Sequence, residues 1–444
     1  MRIIIIGGVA AGMSAASKLK RLKPDYEVVV YEKTDIVSFG ACGLPYYVGG
    51  FFDESEKMIA RKPEKFIESG IDLKIFKEVI DVDTDKKELT IKDSKTGETF
   101  KDNYDKLMIA TGARSTIPPI KNVELENVTT LKTMEDGIRV KELLSKEENK
   151  NIVIIGAGFI GIEAIEAAKQ LGKNVSVIQR SGRVLKHVFD TEITEILEEE
   201  IIKHEVNLHL NEKPIELIGN KKVEKVITDK NEIDADVVIL ATGVKPNTEF
   251  MRNTGIKMLD NGAIIIDEYG KTSIEDIYSA GDCASIGHIV TNKDEYIPLA
   301  TGANKLGRIV GENLAGLNNS YQGSLGSSCI KVMNLEAGSV GITEEKAKTL
   351  GLNYKTSFIS DFNQTNYYPG RDKMYVKLIY HAETKVILGG QVVGYKDAVQ
   401  RANVIATAIF AKLTTKQLGM LDLCYAPPFA RTWDILNIAG NVSK

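Results

Sequence analysis

The sequence predicts an α/β protein with two helix-covered parallel sheets followed by a C-terminal α+β domain, on the strength of three observations. An apolar run from Ile3 to Ile6 leads into Gly7-Gly8-Val9-Ala10-Ala11-Gly12 and then a helical stretch from Met13 to Leu22. A second run, Ile152 to Ile155, leads into Gly156-Ala157-Gly158-Phe159-Ile160-Gly161 and a helix through Ala168. Toward the C-terminus the pattern changes to strands at Tyr375 to Tyr380 and Val386 to Val393 and a helix at Ala402 to Leu413, with no further glycine turn.

Each of the first two patterns is a strand, a tight turn and a helix whose N-terminus points at the turn. Glycines let the backbone approach closely, and the unpaired N–H groups of the first helical turn suit a pyrophosphate. Both units therefore read as Rossmann-like dinucleotide sites, made by Gly7, Gly8, Ala10, Ala11 and Gly12 in one and by Gly156, Gly158, Phe159, Ile160 and Gly161 in the other. Val9 stands where the second glycine is usual, so the first motif is the less regular. A strand from Tyr26 to Tyr31 ends at Glu32 and Lys33, where the carboxylate can accept ribose hydroxyls. The matching strand, Val175 to Gln179, ends in an amide followed by Arg180 and Arg183. A carboxylate there would repel a 2'-phosphate, whereas an amide beside guanidinium groups does not. NADPH is therefore expected to be accepted, with its preference over NADH left open.

A chain of 444 residues exceeds what one core holds and implies two or three domains. Apolar content of 43% with 27% charged residues is that of an ordinary soluble protein, and a net charge of −4 offers no footprint for nucleic acid or an anionic membrane. No apolar run is long enough to span a bilayer, and the N-terminus enters a buried strand without a leader. The four cysteines are too widely spaced for a disulfide framework or a zinc site, so no metal is expected. A cytoplasmic protein with reduced thiols is the expectation.

Cys42, within Ser38-Phe39-Gly40-Ala41-Cys42-Gly43-Leu44-Pro45-Tyr46-Tyr47, has no second cysteine nearby in sequence; the others are Cys283, Cys329 and Cys424. If Cys42 is redox-active, its partner comes from outside, as a mixed disulfide, or is an oxygen, as a sulfenic acid. A short helix beginning at the cysteine, with Pro45 in its first turn and Gly49-Gly50 as its stop, is expected to favour the thiolate. Cys283 and Cys329 read as buried small apolar residues; Cys424, just before Tyr425, reads as core packing in preference to an approach to the active site.

Leu107-Met108-Ile109-Ala110-Thr111-Gly112 and Val237-Val238-Ile239-Leu240-Ala241-Thr242-Gly243 resemble the strands that pass the chain between the FAD and NAD(P) domains of two-dinucleotide flavoproteins. Ile277 to Asp282 resembles that family's second FAD motif, with Gly281 and Asp282 as its core, and Pro298, Leu299, Ala300 and Ala303 open a helix set toward the flavin. The resemblance implies an FAD domain from residues 1–112 and 244–325, an NAD(P) domain at 113–243 and a dimerisation domain at 326–444. With Ser-Phe-x-x-Cys at Ser38 to Cys42, the chain resembles the single-cysteine branch of the pyridine nucleotide-disulfide oxidoreductases. That branch contains coenzyme A-disulfide reductases, NAD(P)H persulfide reductases, NADH oxidases and NADH peroxidases.

Within the branch, peroxidases and water-forming oxidases place a histidine where this chain has Ala10, which can neither move a proton nor bond a peroxide. The Leu-Pro-Tyr wording at Leu44 to Tyr46 and the pairs around Tyr367 and Tyr425 are similar to coenzyme A-disulfide reductases. There, two tyrosines reach the cysteine of a partner subunit, which implies a homodimer with shared sites. The resemblance places coenzyme A, its disulfide or its persulfide along Ser14, Lys18 and Arg21, with Ser38 and Ala41 beside the sulfur and Arg61 and Lys62 as further phosphate contacts. Gly70 departs from the family, which has a lysine there. It also implies hydride transfer from NAD(P)H through flavin to Cys42, with Phe159 over the ring and Glu163 on the nicotinamide side. The rival expectations are an NADH oxidase making water or peroxide and a flavin-bearing interaction protein switched by its redox state.

Overall fold

The computed structural model describes residues 1–444. Arg2–Ile6 carries nothing but isoleucines after its first residue, so it needs cover on both faces. It lies at the centre of a parallel sheet ordered Ile277–Ser279, Lys106–Ile109, Arg2–Ile6, Glu27–Tyr31, Asp72–Lys74. Ile4 pairs with Val29 on one side and Leu107 on the other. Asn151–Ile155 plays the same part in a second parallel sheet, ordered Val206–Leu210, Asn174–Gln179, Asn151–Ile155, Val237–Leu240, Val128–Thr130. In both sheets the order reverses beside the central strand, which opens a crevice at the strands' C-terminal ends, where the glycine turns lie.

The chain crosses between the two units on a pair of short strands. Ala113–Ser115 leaves and Val244–Pro246 returns, antiparallel, with Arg114 opposite Lys245. Thr111 and Thr242 latch this crossing, donating to Asn247 O at 2.6 Å and to Thr116 O at 2.7 Å.

The first sheet is covered by two helices in close contact. Ala10–Leu22 packs on Ala300–Leu314, whose Gly307 and Gly311 face Ala11 and Ala15. A Cβ at either glycine would stand 2.5 Å from a backbone oxygen of the opposite helix, so the two backbones touch.

The third unit is a five-stranded antiparallel sheet, ordered Ser328–Val332, Leu335–Gly341, Ile387–Gly394, Lys373–His381, Tyr354–Phe362. The expected strands and helix are all present, with shifted ends. The helix runs Ala398–Phe410, earlier than expected, because Asp397 at φ +63° and Lys412 at φ +55° turn the chain at its two ends. Lys377, only 1% exposed, joins this sheet to the second unit through Glu192 at 2.7 Å, and also pairs with Glu344 of its own unit at 2.6 Å. A buried cation held by carboxylates from two elements ties the units into one register.

Candidate active site

The two glycine turns are built alike. Gly7 and Gly156 take φ of +106° and +110°, and a Cβ there would lie 2.2 and 2.3 Å from the carbonyls of Ala110 and Ala241. Gly12 and Gly161 sit over the carbonyls of Gly7 and Gly156, where a Cβ would come within 1.9 Å. The residue ending the next strand then closes each turn: Glu32 accepts from Gly8 N at 2.8 Å, and Gln179 accepts from Ala157 N at 3.0 Å. Glu32 is buried and also holds the Thr34 amide and hydroxyl at 2.9 Å, while Lys33 beside it is exposed.

These turns fit dinucleotides on grounds other than motif. A Cβ at Gly158 would meet nothing within 4 Å, so protein packing does not require a glycine there, whereas an approaching pyrophosphate would. Phe159 and Ile160 follow it, half-buried, at the start of helix Phe159–Gln170. Helix Ala300–Leu314 begins at Leu299 without a side-chain cap, leaving its first amides open beside Pro298. Ala303 lies on its buried face, against Gly281 at φ +86°. Gly112 and Gly243, at φ +65° and +102°, likewise have no neighbour within 4 Å of a built Cβ. The residues present fit FAD at the first turn and NAD(P)H at the second.

Cys42 is brought to the first turn by its own loop. Ser38, at φ +52°, donates its amide to Gly8 O at 2.9 Å, and Phe39 bridges to Ile59. A non-glycine residue in that region costs on the order of 1 kcal/mol, so the tether has to hold the turn in place. Ala41 and Cys42 lie in a single tight turn, Ala41–Gly43, that runs into helix Leu44–Val48, and Gly50 at φ +78° stops it. All four cysteines are free, and Cys42 is exposed.

The thiol's electrostatics correct the expectation of a helix-favoured thiolate. In the chain alone, desolvation and then the Glu163 carboxylate push the Cys42 thiol up, Asp282 adds to this, and Lys132 opposes it. Glu163 is itself pushed up to about 7, by burial and by neighbouring Glu166. Lys132 contacts Asp282 at 3.3 Å and is a functional candidate that the sequence did not reveal, since it sits singly after a short strand. Tyr46, which the sequence marks only as part of the Leu-Pro-Tyr motif, joins it: burial, Glu163 and Glu166 raise its phenol, and Cys42 also acts on it.

Cys283 is fully buried as expected, bonded through sulfur to Ser279 and Ile109 O. Cys329 and Cys424 are exposed, contrary to their reading as packed residues. Cys329 lies on strand Ser328–Val332 beside helix Phe159–Gln170, where Lys331 pairs with Glu166. Cys424 falls in the loop before Tyr425.

Tyr367 and Tyr425 share a hydrogen bond of 3.2 Å on an exposed face. Tyr425 is held below the usual phenol value by the hydroxyls of Tyr367 and Thr432, while Tyr367 is raised by Tyr425. Phe429 and Trp433, a few residues after Tyr425, are exposed at 68% and 51%.

The proposed substrate contacts are not equally free. Arg21 and Lys62 are exposed and make no ion pair, Ser14 donates to Asn304 at 3.0 Å, and Lys18 is paired with Glu312 at 2.9 Å. Arg61 lies over Phe66, 4.5 Å from the ring centre, and donates to Lys65 O. Gly70, at φ +85°, is overlain by Lys20, whose Cε would be 2.7 Å from a Cβ there. In the second unit Arg180 is exposed, but Arg183 is committed to Phe189 O and Glu345, each at 2.8 Å. No helix is long and apolar enough to cross a membrane, and no group of three or more His, Cys, Asp or Glu side chains is placed to hold a metal.

The chain matches the family described as pyridine nucleotide-disulphide oxidoreductase over residues 1–307 and that family's dimerisation domain over residues 327–435. It is 42% identical to the NAD(P)H coenzyme A polysulfide/persulfide reductase of Pyrococcus horikoshii, covering 100% of this chain and 98% of that one. An NADH oxidase of Enterococcus faecalis is 35% identical, with coverage of 100% and 99%. The solved NAD-dependent persulfide reductase from A. fulgidus superposes with a TM-score of 0.96 at 36% identity, covering 100% of this chain and 83% of that one.

Proposed function

This chain belongs to the pyridine nucleotide-disulphide oxidoreductases, and from that premise we propose that it reduces coenzyme A persulfide or coenzyme A disulfide through Cys42. It is an NAD(P)H-dependent oxidoreductase that uses FAD. The observation that carries the substrate reading is the placement of Cys42: a free, exposed thiol tethered through Ser38 to the first nucleotide turn.

Bound FAD supplies the two-electron exchange between a nicotinamide and a sulfur atom. The chain supplies the nucleophile and the protons. The Cys42 thiolate attacks one sulfur of the substrate's S–S bond; that bond breaks, a Cys42 mixed disulfide forms, and one thiolate leaves and takes a proton. Two electrons that originate in NAD(P)H, with one proton, then return Cys42 and the second thiol. The net change for the disulfide is one NAD(P)H and one proton consumed and two thiols made. A persulfide gives one thiol and one sulfide.

Lys132 stabilises the thiolate, and Glu163, near neutrality in its ionisation, opposes it while charged. Tyr425, the more acidic phenol of its pair, is assigned as proton donor to the leaving sulfur, with Tyr367 orienting it. Both act on the Cys42 of a second copy in a homodimer, for which the dimerisation-domain match is the support. Arg21, Arg61 and Lys62 are assigned to the anionic end of coenzyme A, with Ser14, Ser38 and Ala41 nearer the sulfur. Lys18 takes part only by exchanging Glu312 for a phosphate. The crossing strands support separating 1–112 with 244–325 from 113–243, the dimerisation-domain match supports 326–444, and a cytoplasmic setting suits a working free thiol.

An NADH oxidase activity is the second reading, supported by the Enterococcus faecalis relative. Ala10, at the head of helix Ala10–Leu22, leaves no acid–base group there for oxygen or peroxide. NAD(P)H consumption, in air and without it, with and without coenzyme A disulfide or persulfide, separates the two. Turnover that requires the sulfur acceptor supports the proposal, and rapid turnover on oxygen alone contradicts it.

A further inference from the structure

The loop that follows strand Asn174–Gln179 is a single hydrogen-bonded piece. Gln179 accepts from Ala157 N and donates to Ser181 Oγ at 2.6 Å, Ser181 Oγ donates to Arg183 O at 3.0 Å, and Leu185 N returns to Ala157 O at 2.8 Å. It presents three cations, Arg180, Arg183 and Lys186, where the adenosine ribose of a dinucleotide is bound in the reading above. One carboxylate is ion-paired with two of them, and it comes from another unit, whereas Glu192 and Glu198 of the loop's own unit act on Arg183 without an ion pair. Glu345, in the first turn of helix Glu344–Thr349, meets Arg183 at 2.8 Å through one oxygen and Lys186 at 3.9 Å through the other. The position is fixed from behind, because Asp190 accepts the Glu344 and Glu345 amides at 3.0 and 3.4 Å. Glu345 itself is half-exposed, and Arg180 makes no ion pair.

We propose that Glu345 is a specificity residue, competing with the 2'-phosphate of NADPH for Arg183 and Lys186 and so setting the balance between NADPH and NADH from the C-terminal unit. The inference rests on the reading of the second glycine turn as the NAD(P)H site. A 2'-phosphate arriving at this loop has to displace the Glu345 carboxylate from Arg183 or share the cation with it, and a like charge a few ångströms away weakens phosphate binding. NADH carries hydroxyls there and meets no such competition. Glu345 is half-exposed and Arg183 and Lys186 are only partly covered, so salt screens the opposition.

The test is calorimetric titration of the FAD-loaded protein with 2',5'-ADP and with ADP, comparing Glu345→Gln with the unaltered chain. The expected result is about two- to fivefold tighter 2',5'-ADP binding at low salt, unchanged ADP binding, and a gain that fades at high salt. Arg183→Ala in the same background is expected to remove most of that gain. Unchanged or weaker 2',5'-ADP binding in Glu345→Gln, with ADP still bound, overturns the role of Glu345 while leaving the site reading intact. Failure of the unaltered protein to bind either adenylate overturns both.

Discussion

Tyr367 and Tyr425 lie 58 residues apart in the chain and share a 3.2 Å hydrogen bond, though both side chains are exposed. The bond is asymmetric, because Tyr425 is held below the usual phenol range and Tyr367 above it. Tyr425→Phe is expected to lower turnover on coenzyme A disulfide by about 100-fold, the scale of a lost general acid. Tyr367→Phe removes one of the two hydroxyls that lower Tyr425, so the alkaline limb of its pH–rate profile moves to higher pH. Steady-state rates across pH read both effects.

Glu163 and Lys132 act on Cys42 with opposite sign, so their variants separate in direction. Glu163→Gln removes a charge that raises the thiol, and the midpoint of Cys42 alkylation by iodoacetamide then falls in pH. Lys132→Met removes the opposing charge, and the midpoint rises. Equal midpoints in the three proteins contradict the electrostatic account.

Glu163 also links stability to pH. Its carboxyl titrates at about 7 in the fold against a reference of 4.5, so the folded state binds the proton more tightly than the unfolded chain. Its contribution is full below about 4.5 and is lost as pH rises through about 7. Denaturant unfolding at pH 6 and pH 8 is therefore expected to show a smaller loss in Glu163→Gln than in the unaltered protein.

Gly307 touches the backbone of Ala11, so Gly307→Ala forces two helices apart. The expected cost is about 1–3 kcal/mol, read as a lowered Tm. A Tm unchanged from the unaltered protein contradicts the close contact.

Much of this fold was legible in the sequence because its central strands are apolar throughout and its turns need glycine for steric reasons. Ile3 to Ile6 with Gly7, and Ile152 to Ile155 with Gly156, leave few alternatives. The antiparallel sheets Lys77–Asp83, Glu88–Asp93, Thr99–Asn103 and Pro214–Ile218, Lys225–Thr228, Glu232–Asp234 were not read, since their strands are short, polar and half-exposed. Cys329 was misread for a related reason. Its strand alternates buried and open positions, and Cys329 falls on an open one. Lys18 and Arg183 looked free because their partners, Glu312 and Glu345, lie far along the chain. Ion pairs of that separation leave no local pattern.

Mass spectrometry of the purified, unreduced protein tests the role of Cys42 most directly. The account predicts a coenzyme A adduct on Cys42, formed on exposure to the disulfide, absent from Cys42→Ser and released by NAD(P)H. An added oxygen on Cys42 with no thiol adduct, or disulfide turnover retained by Cys42→Ser, would contradict it.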